Sequence, residues 1–201
     1  MKLIASSYIN SRGAYLNGEK LFDTSAVQED YLKALYGYLE LDYPKFHKMD
    51  HLSKLSILAE QLLHHYIDKD AEPENKLQLI FANSSSSQLT DLKFQDSYTN
   101  LGNPSPSLFV YTLPNILTGE LCIRHKWYGE NIFFILEKFD EDFFLNQIKF
   151  SFARENRLCL CGWVESDKNG NEECFLYLVD NTNEATTQLS LNNTLRLYRN
   201  E

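Results

Sequence analysis

The sequence predicts an α/β domain built on a mixed, mostly parallel sheet with helices on both faces. Short apolar runs alternate along the chain with stretches of helical periodicity, the order a layered sheet-and-helix domain requires. The clearest helical stripe is Leu52, Leu55, Leu58, Ala59, Leu62 and Tyr66. Thirteen Phe and twelve Tyr among 201 residues favour β-structure and a large apolar interior or interface.

Taken in order, residues 2–9 read as a first strand. Arg12-Gly13 and Asn17-Gly18 are turn signals, the second suited to closing a hairpin. Tyr31, Leu35 and Tyr38 predict a helix over 28–39, and 42–49, with Pro44, reads as a loop. Asp50 is a candidate N-cap for the striped helix, which should end before Glu72-Pro73-Glu74. Residues 77–82 form a strand, Ser84 to Ser87 a turn, and 88–98 a helix. After the irregular link Asn103-Pro104-Ser105-Pro106, residues 108–111 read as extended. Pro114 suits the first turn of a helix carrying Ile116, Leu117, Leu121 and Arg124. Residues 131–136 form a strand, and Asp140 caps a helix with Phe144, Ile148 and Phe152 at four-residue steps. Strands 158–164 and 174–179, joined by a turn-rich connector, should pair antiparallel. One domain therefore covers 1–181. Residues 182–201, with Leu189, Leu191, Leu195 and Leu197, read as an appended hairpin or tail.

The formal net charge of -9 argues against a nucleic-acid surface. No stretch reaches the roughly 18 apolar residues of a membrane span. The opening residues turn polar too soon for a secretory signal, so the expected location is cytoplasmic. Four cysteines, Cys122, Cys159, Cys161 and Cys174, then read as free thiols rather than disulfides. Cys159 and Cys161 share one face of a strand, but no histidine or second cysteine pair lies at zinc-ligand spacing. Small buried hydrophobes are the favoured reading.

Few residues declare chemistry. Ser84 to Ser87 stand between strand and helix, where backbone N–H groups favour an anion or are satisfied by capping; capping is favoured. His47 and His51 lie four apart without a third ligand. His64 and His65 fall late on the striped helix, and His125 closes another, where a cation complements the dipole. Asp140, Glu141 and Asp142 serve a helix start. Neither common nucleotide cradle nor a hydrolase nucleophile elbow is present. Neither metal nor cofactor is expected.

One stretch goes further. Pro106, Phe109, Pro114, Asn115, Gly119, Ile123, Gly129 and Asn131 fall in an order that resembles β-ketoacyl synthases. Residues 49–60 are similar to that family's first long helix, and Gly162-Trp163-Val164-Glu165 to its glycine-and-glutamate strand end. The resemblance, over residues 1–181, implies one half of a thiolase-type fold, a five-stranded sheet between helices. It also implies a nucleophilic cysteine some nine residues after Gly129, at a helix start that lowers a thiol pKa and supplies an oxyanion hole. Glu137 and Lys138 stand at that position, and Cys122 lies on the preceding helix.

The resemblance therefore implies a non-catalytic subunit pairing with a full ketosynthase in fatty-acid or polyketide-type synthesis, aryl-polyene or flexirubin pigments included. An acyl carrier protein is a further expected contact. By the same resemblance, Leu108, Phe109, Val110, Tyr111, Leu113 and Asn115 form the subunit interface of a homodimer or heterodimer. Two alternatives stay open: a homodimeric scaffold, and altered chemistry using Glu137, Lys138 or His125.

Overall fold

A computed structural model describes residues 1–26, 30–67, 77–154 and 157–181. Residues 182–201, where a hairpin or tail was expected, lie outside the described residues. So do 28 and 29, the expected start of the first helix.

Among the described residues seven strands form one sheet: β1 (Lys2–Asn10), β2 (Gly13–Leu16), β3 (Glu19–Phe22), β4 (Leu77–Asn83), β5 (Asn131–Ile135), β6 (Leu158–Ser166) and β7 (Glu172–Asp180). Their order is β3-β2-β1-β7-β6-β4-β5. The expected five strands thus become seven, because the turn signals near the start close two hairpins. Asn10 Oδ1 accepts from the N–H groups of Arg12 (2.8 Å) and Gly13 (3.1 Å), tying the first turn. Asn17 and Gly18, at φ 51° and 85°, make the second, a two-residue hairpin loop that needs positive φ at both positions. The expectation of a mostly parallel sheet holds only around β4, which runs parallel to β5 and β6. The pairs β6–β7, β7–β1, β1–β2 and β2–β3 are antiparallel.

The helices are α1 (Tyr31–Tyr38), α2 (His51–Leu63), α3 (Gln88–Thr99), α4 (Pro106–Val110), α5 (Ile116–His125) and α6 (Glu141–Ala153). The carboxylates of Asp50 and Asp140 cap α2 and α6 as the sequence predicts, accepting from Ser53 N (3.0 Å) and Phe143 N (2.9 Å). The loop around Pro44 contains a 3-10 turn, Pro44–Lys48. None of these helices is long and apolar enough to cross a membrane.

Every residue of β4 and β6 is buried, as strands covered on both faces must be. Alternation then sorts their side chains between two cores. Leu77, Leu79, Phe81, Leu160, Val164, Leu176 and Leu178 meet apolar residues of α1, α2 and α5 on one face. Ile80, Cys159, Cys161, Trp163, Phe175 and Tyr177 meet Phe144, Leu145 and Ile148 of α6 on the other. The pairing of Cys159 with Cys161 on one apolar face follows the sequence reading.

Residues 108–111 are not extended. Ser105 and Pro106 start a short helix: Ser105 Oγ accepts from Leu108 N (3.4 Å), and the Pro106 ring supplies the first-turn φ. Capping outweighs the β-preference of Phe109 and Val110. Pro114 falls just outside α5, whose N-cap is Asn115.

Candidate functional site

The parallel strands β4, β5 and β6 end together at Asn83, Ile135 and Ser166, the edge where α/β sheets usually carry their chemistry. Here it is closed by internal contacts. Glu165, buried at the end of β6, accepts from Ser84 N (2.9 Å) and Ser84 Oγ (2.7 Å) through Oε2, and from Ser166 N through Oε1 (3.1 Å). Ser86 exchanges two hydrogen bonds with the Asn83 side chain, its N–H donating at 2.9 Å and its carbonyl accepting at 2.8 Å. Ser87 Oγ donates to Thr112 O (2.5 Å). The serine run therefore holds the chain's own carboxylate, and Ser87 caps α3 by position without a side-chain cap bond.

Between β5 and α6, Leu136 N donates to Asn83 O (2.9 Å). Glu137 and Lys138 are exposed to solvent. Phe139, 6% exposed, turns inward. Its ring lies 5.2 Å from Phe144, 6.1 Å from Trp163 and 6.0 Å from Phe175. The α6 N-terminus is met by Asp140, Glu141 and Asp142 rather than left to a ligand. Thiol chemistry is displaced as well. Burial pushes the Cys159 thiol up to about 12 and those of Cys122, Cys161 and Cys174 above the usual range, so all four stay protonated.

The six expected interface residues fall on α4 and the turn before α5. Phe109, Val110 and Leu113 are 61%, 51% and 59% exposed, with Asn115 also exposed and Leu108 half-buried. Tyr111 turns inward, donating to Glu120 Oε1 (3.0 Å), which Lys45 meets at 2.5 Å through Oε2. Strand β5 ends the sheet, with no strand on its outer edge among the described residues, and exposes Ile132 and Ile135.

A second cluster was invisible in the sequence. Glu60, on α2, is fully buried. It meets His125 Nε2 (2.7 Å) and Arg124 Nη1 (3.3 Å) through Oε2, and His64 Nδ1 (3.2 Å) through Oε1. Arg124 also donates to Gln61 Oε1. The His125 ring stacks between His64 (4.9 Å) and Trp127 (4.4 Å). Burial pushes the Glu60 carboxyl up, but the hydrogen bonds from His125 and His64 and the Arg124 charge outweigh it, holding the group below its usual range. Instead of only complementing its helix dipole, His125 reaches across to α2. It sits before β5 while Glu137 and Lys138 sit after it; five strand residues, roughly 16 Å, separate them. The structure thus does not bring His125, Glu137 and Lys138 together. Of the other histidines, His47 is exposed beside Tyr36, and His51 pairs with Glu172 (2.7 Å).

No protein-family model matches the sequence, and no curated protein matches it. Solved structures do. A ketosynthase in complex with its chain length factor from Xenorhabdus doucetiae superposes with a TM-score of 0.62 at 12% identity, over 90% of this chain and 80% of that one. The ishigamide ketosynthase/chain length factor gives 0.62 at 18% identity, over 92% of this chain and 63% of that chain. A type II polyketide acyl-carrier protein in complex with its ketosynthase bound to the hexaketide gives 0.62 at 14%, over 96% and 64%. The chain thus spans under two thirds of the last two. At these identities the likeness establishes the fold alone: the mixed α/β sheet and its helices are arranged as in these ketosynthase structures.

Proposed function

We propose that this chain is a non-catalytic ketosynthase-like subunit that pairs with a full ketosynthase in fatty-acid or polyketide-type biosynthesis. The aryl-polyene and flexirubin pigments are the pathway class in view. The observation that carries the reading is the segment between β5 and α6. Where a condensing enzyme of this fold would hold its nucleophile, Glu137 and Lys138 face solvent and Phe139 fills the space beneath. The fold shared with ketosynthase/chain length factor assemblies supports the choice of partner. Phe109, Val110 and Leu113 supply the apolar contact, since large exposed side chains grouped in this way mark interaction surfaces. An acyl carrier protein would contact the assembled pair.

The test is co-expression with ketosynthases from the same source, followed by affinity capture and measurement of condensation with and without this chain. The expected result is a one-to-one complex whose activity depends on the pairing. Phe109→Asp and Leu113→Asp should abolish capture while leaving the fold intact, and Phe150→Asp, on α6, should not. Absence of both capture and any effect on activity would overturn the proposal. A second reading, a homodimeric scaffold, is favoured by the edge of β5, which has no neighbouring strand among the described residues and suits antiparallel addition of an identical strand. Light scattering on the isolated chain separates the two.

A further inference from the structure

The Glu60 cluster has the composition of a metal centre. We propose that Glu60, His64 and His125 bind a zinc-class divalent ion that clamps α2 to α5. One ligand atom from each residue lies within 4.8 Å of the other two, and His64 Nδ1 and His125 Nε2 are the ring nitrogens that face the Glu60 carboxylate. Zinc–nitrogen and zinc–oxygen bonds of about 2.0–2.2 Å set separations of roughly 3.4 Å in a tetrahedron, so modest ring rotations close the set. Two histidines with one carboxylate leave a fourth position for water, a donor set that suits zinc and its late first-row neighbours rather than calcium or magnesium.

The surroundings fit this use. Glu60 and His64 lie one helical turn apart and face the same way, and His125 comes from a second element. Arg124 holds Glu60 Oε2 from outside the set, and stacking on Trp127 fixes the plane of His125, the roles that outer-shell partners play at metal sites. His64, with 26% of its side chain exposed, gives the ion a route from solvent. In the metal-free cluster two imidazole N–H groups point at one carboxylate. A divalent ion takes the place of those two protons, each of which moves to the ring's other nitrogen or, from an imidazolium, is released to solvent, and both nitrogens become ligands. The site lies where α2 and α5 end, before β4 and β5 begin, opposite the strand ends that hold Glu137 and Lys138. It is independent of the proposed pairing.

The experiment titrates chelator-treated full chain with Zn²⁺ by calorimetry and thermal melting, with Co²⁺ as the spectroscopic probe. Expected are one equivalent bound, a rise in melting temperature, and Co²⁺ bands of nitrogen and oxygen ligation without sulfur charge transfer. His64→Ala and His125→Gln should each weaken binding at least tenfold; the second keeps a side-chain donor toward Glu60, so a folded protein is expected. Cys122→Ser and His65→Ala should bind as the parent does. No saturable binding, or binding unchanged in both His64→Ala and His125→Gln, overturns the proposal.

Discussion

Gly129→Ala isolates what the glycine just before β5 does. A Cβ there would stand 2.1 Å from the carbonyl oxygen of Leu77 and 3.0 Å from its carbonyl carbon, whereas real Cβ contacts essentially never fall below 3.0 Å. The backbone must therefore part by about 0.9 Å, and neither side yields easily. Leu77 opens β4, which is hydrogen-bonded on both sides: to β6 from Leu77↔Leu158 onward and to β5 from Leu79↔Asn131. Glu130 O also accepts from Leu79 N at 3.0 Å, one residue beyond the glycine. Overpacking costs about 1–3 kcal/mol where side chains can adjust, and a backbone clash in a central strand belongs at the upper end, about 3 kcal/mol. For a chain of this length each kcal/mol moves the midpoint by roughly 2–4 °C, so calorimetry should show a fall of about 6–12 °C. Gly119→Ala is the internal control. It lies inside α5 with nothing within 4 Å of its would-be Cβ, so relief of glycine's entropy cost should add about 0.5–1 kcal/mol. Opposite signs are expected from the same substitution ten residues apart. A Gly129→Ala protein melting within about 2 °C of the parent, or equal losses at both sites, would refute this account of the strand packing.

Glu60→Gln in metal-free protein leaves Arg124 and His125 facing a neutral amide and should cost about 3 kcal/mol at neutral pH, read from urea midpoints. Because the folded carboxyl lies below its usual range, that stability is present above the unfolded value of about 4.3 and is lost as pH falls through the folded one. The gap between parent and variant should therefore close in acid, and a gap that widens there would contradict the assignment. Native protein should alkylate slowly at Cys122 and almost not at all at Cys159, Cys161 and Cys174 until denatured, with mass spectrometry counting the labels; rapid labelling of Cys161 would be incompatible with its burial. Phe139→Ala should lower stability by about 3 kcal/mol through the void left among Phe144, Trp163 and Phe175, and parent-like denaturation would show that this space is not filled by the ring.

The elements legible in the sequence are those whose signal is local. Asp50 and Asp140 announced their helices because a cap needs only the next three residues. The stripe from Leu52 to Leu62 fixed α2 by its own period, and the turn 166–171 made β6 and β7 antiparallel neighbours without reference to the rest of the chain. The short helix at Pro106 was misread although its cap was written in Ser105-Pro106, because the β-preference of Phe109 and Val110 competes over the same few residues. The strand count was low because the hairpins at Asn10–Gly13 and Asn17-Gly18 carry turn signals but short strands.

The sequence by itself also determined that residues 137 and 138 carry no thiol, since that is a statement about composition. Tertiary structure alone decided what surrounds them: Phe139 packs on Phe144, Trp163 and Phe175, and Glu165 takes the Ser84 donors across 81 positions of chain. It likewise decided the Glu60 cluster. His64 is four residues from Glu60, but Arg124 and His125 are more than sixty away, and only the packing of α5 on α2 presents them to a carboxylate withdrawn from water. A side chain's period reveals which face of its own helix it occupies. What it meets there depends on which other face is buried against it, and that is a property of the sheet order.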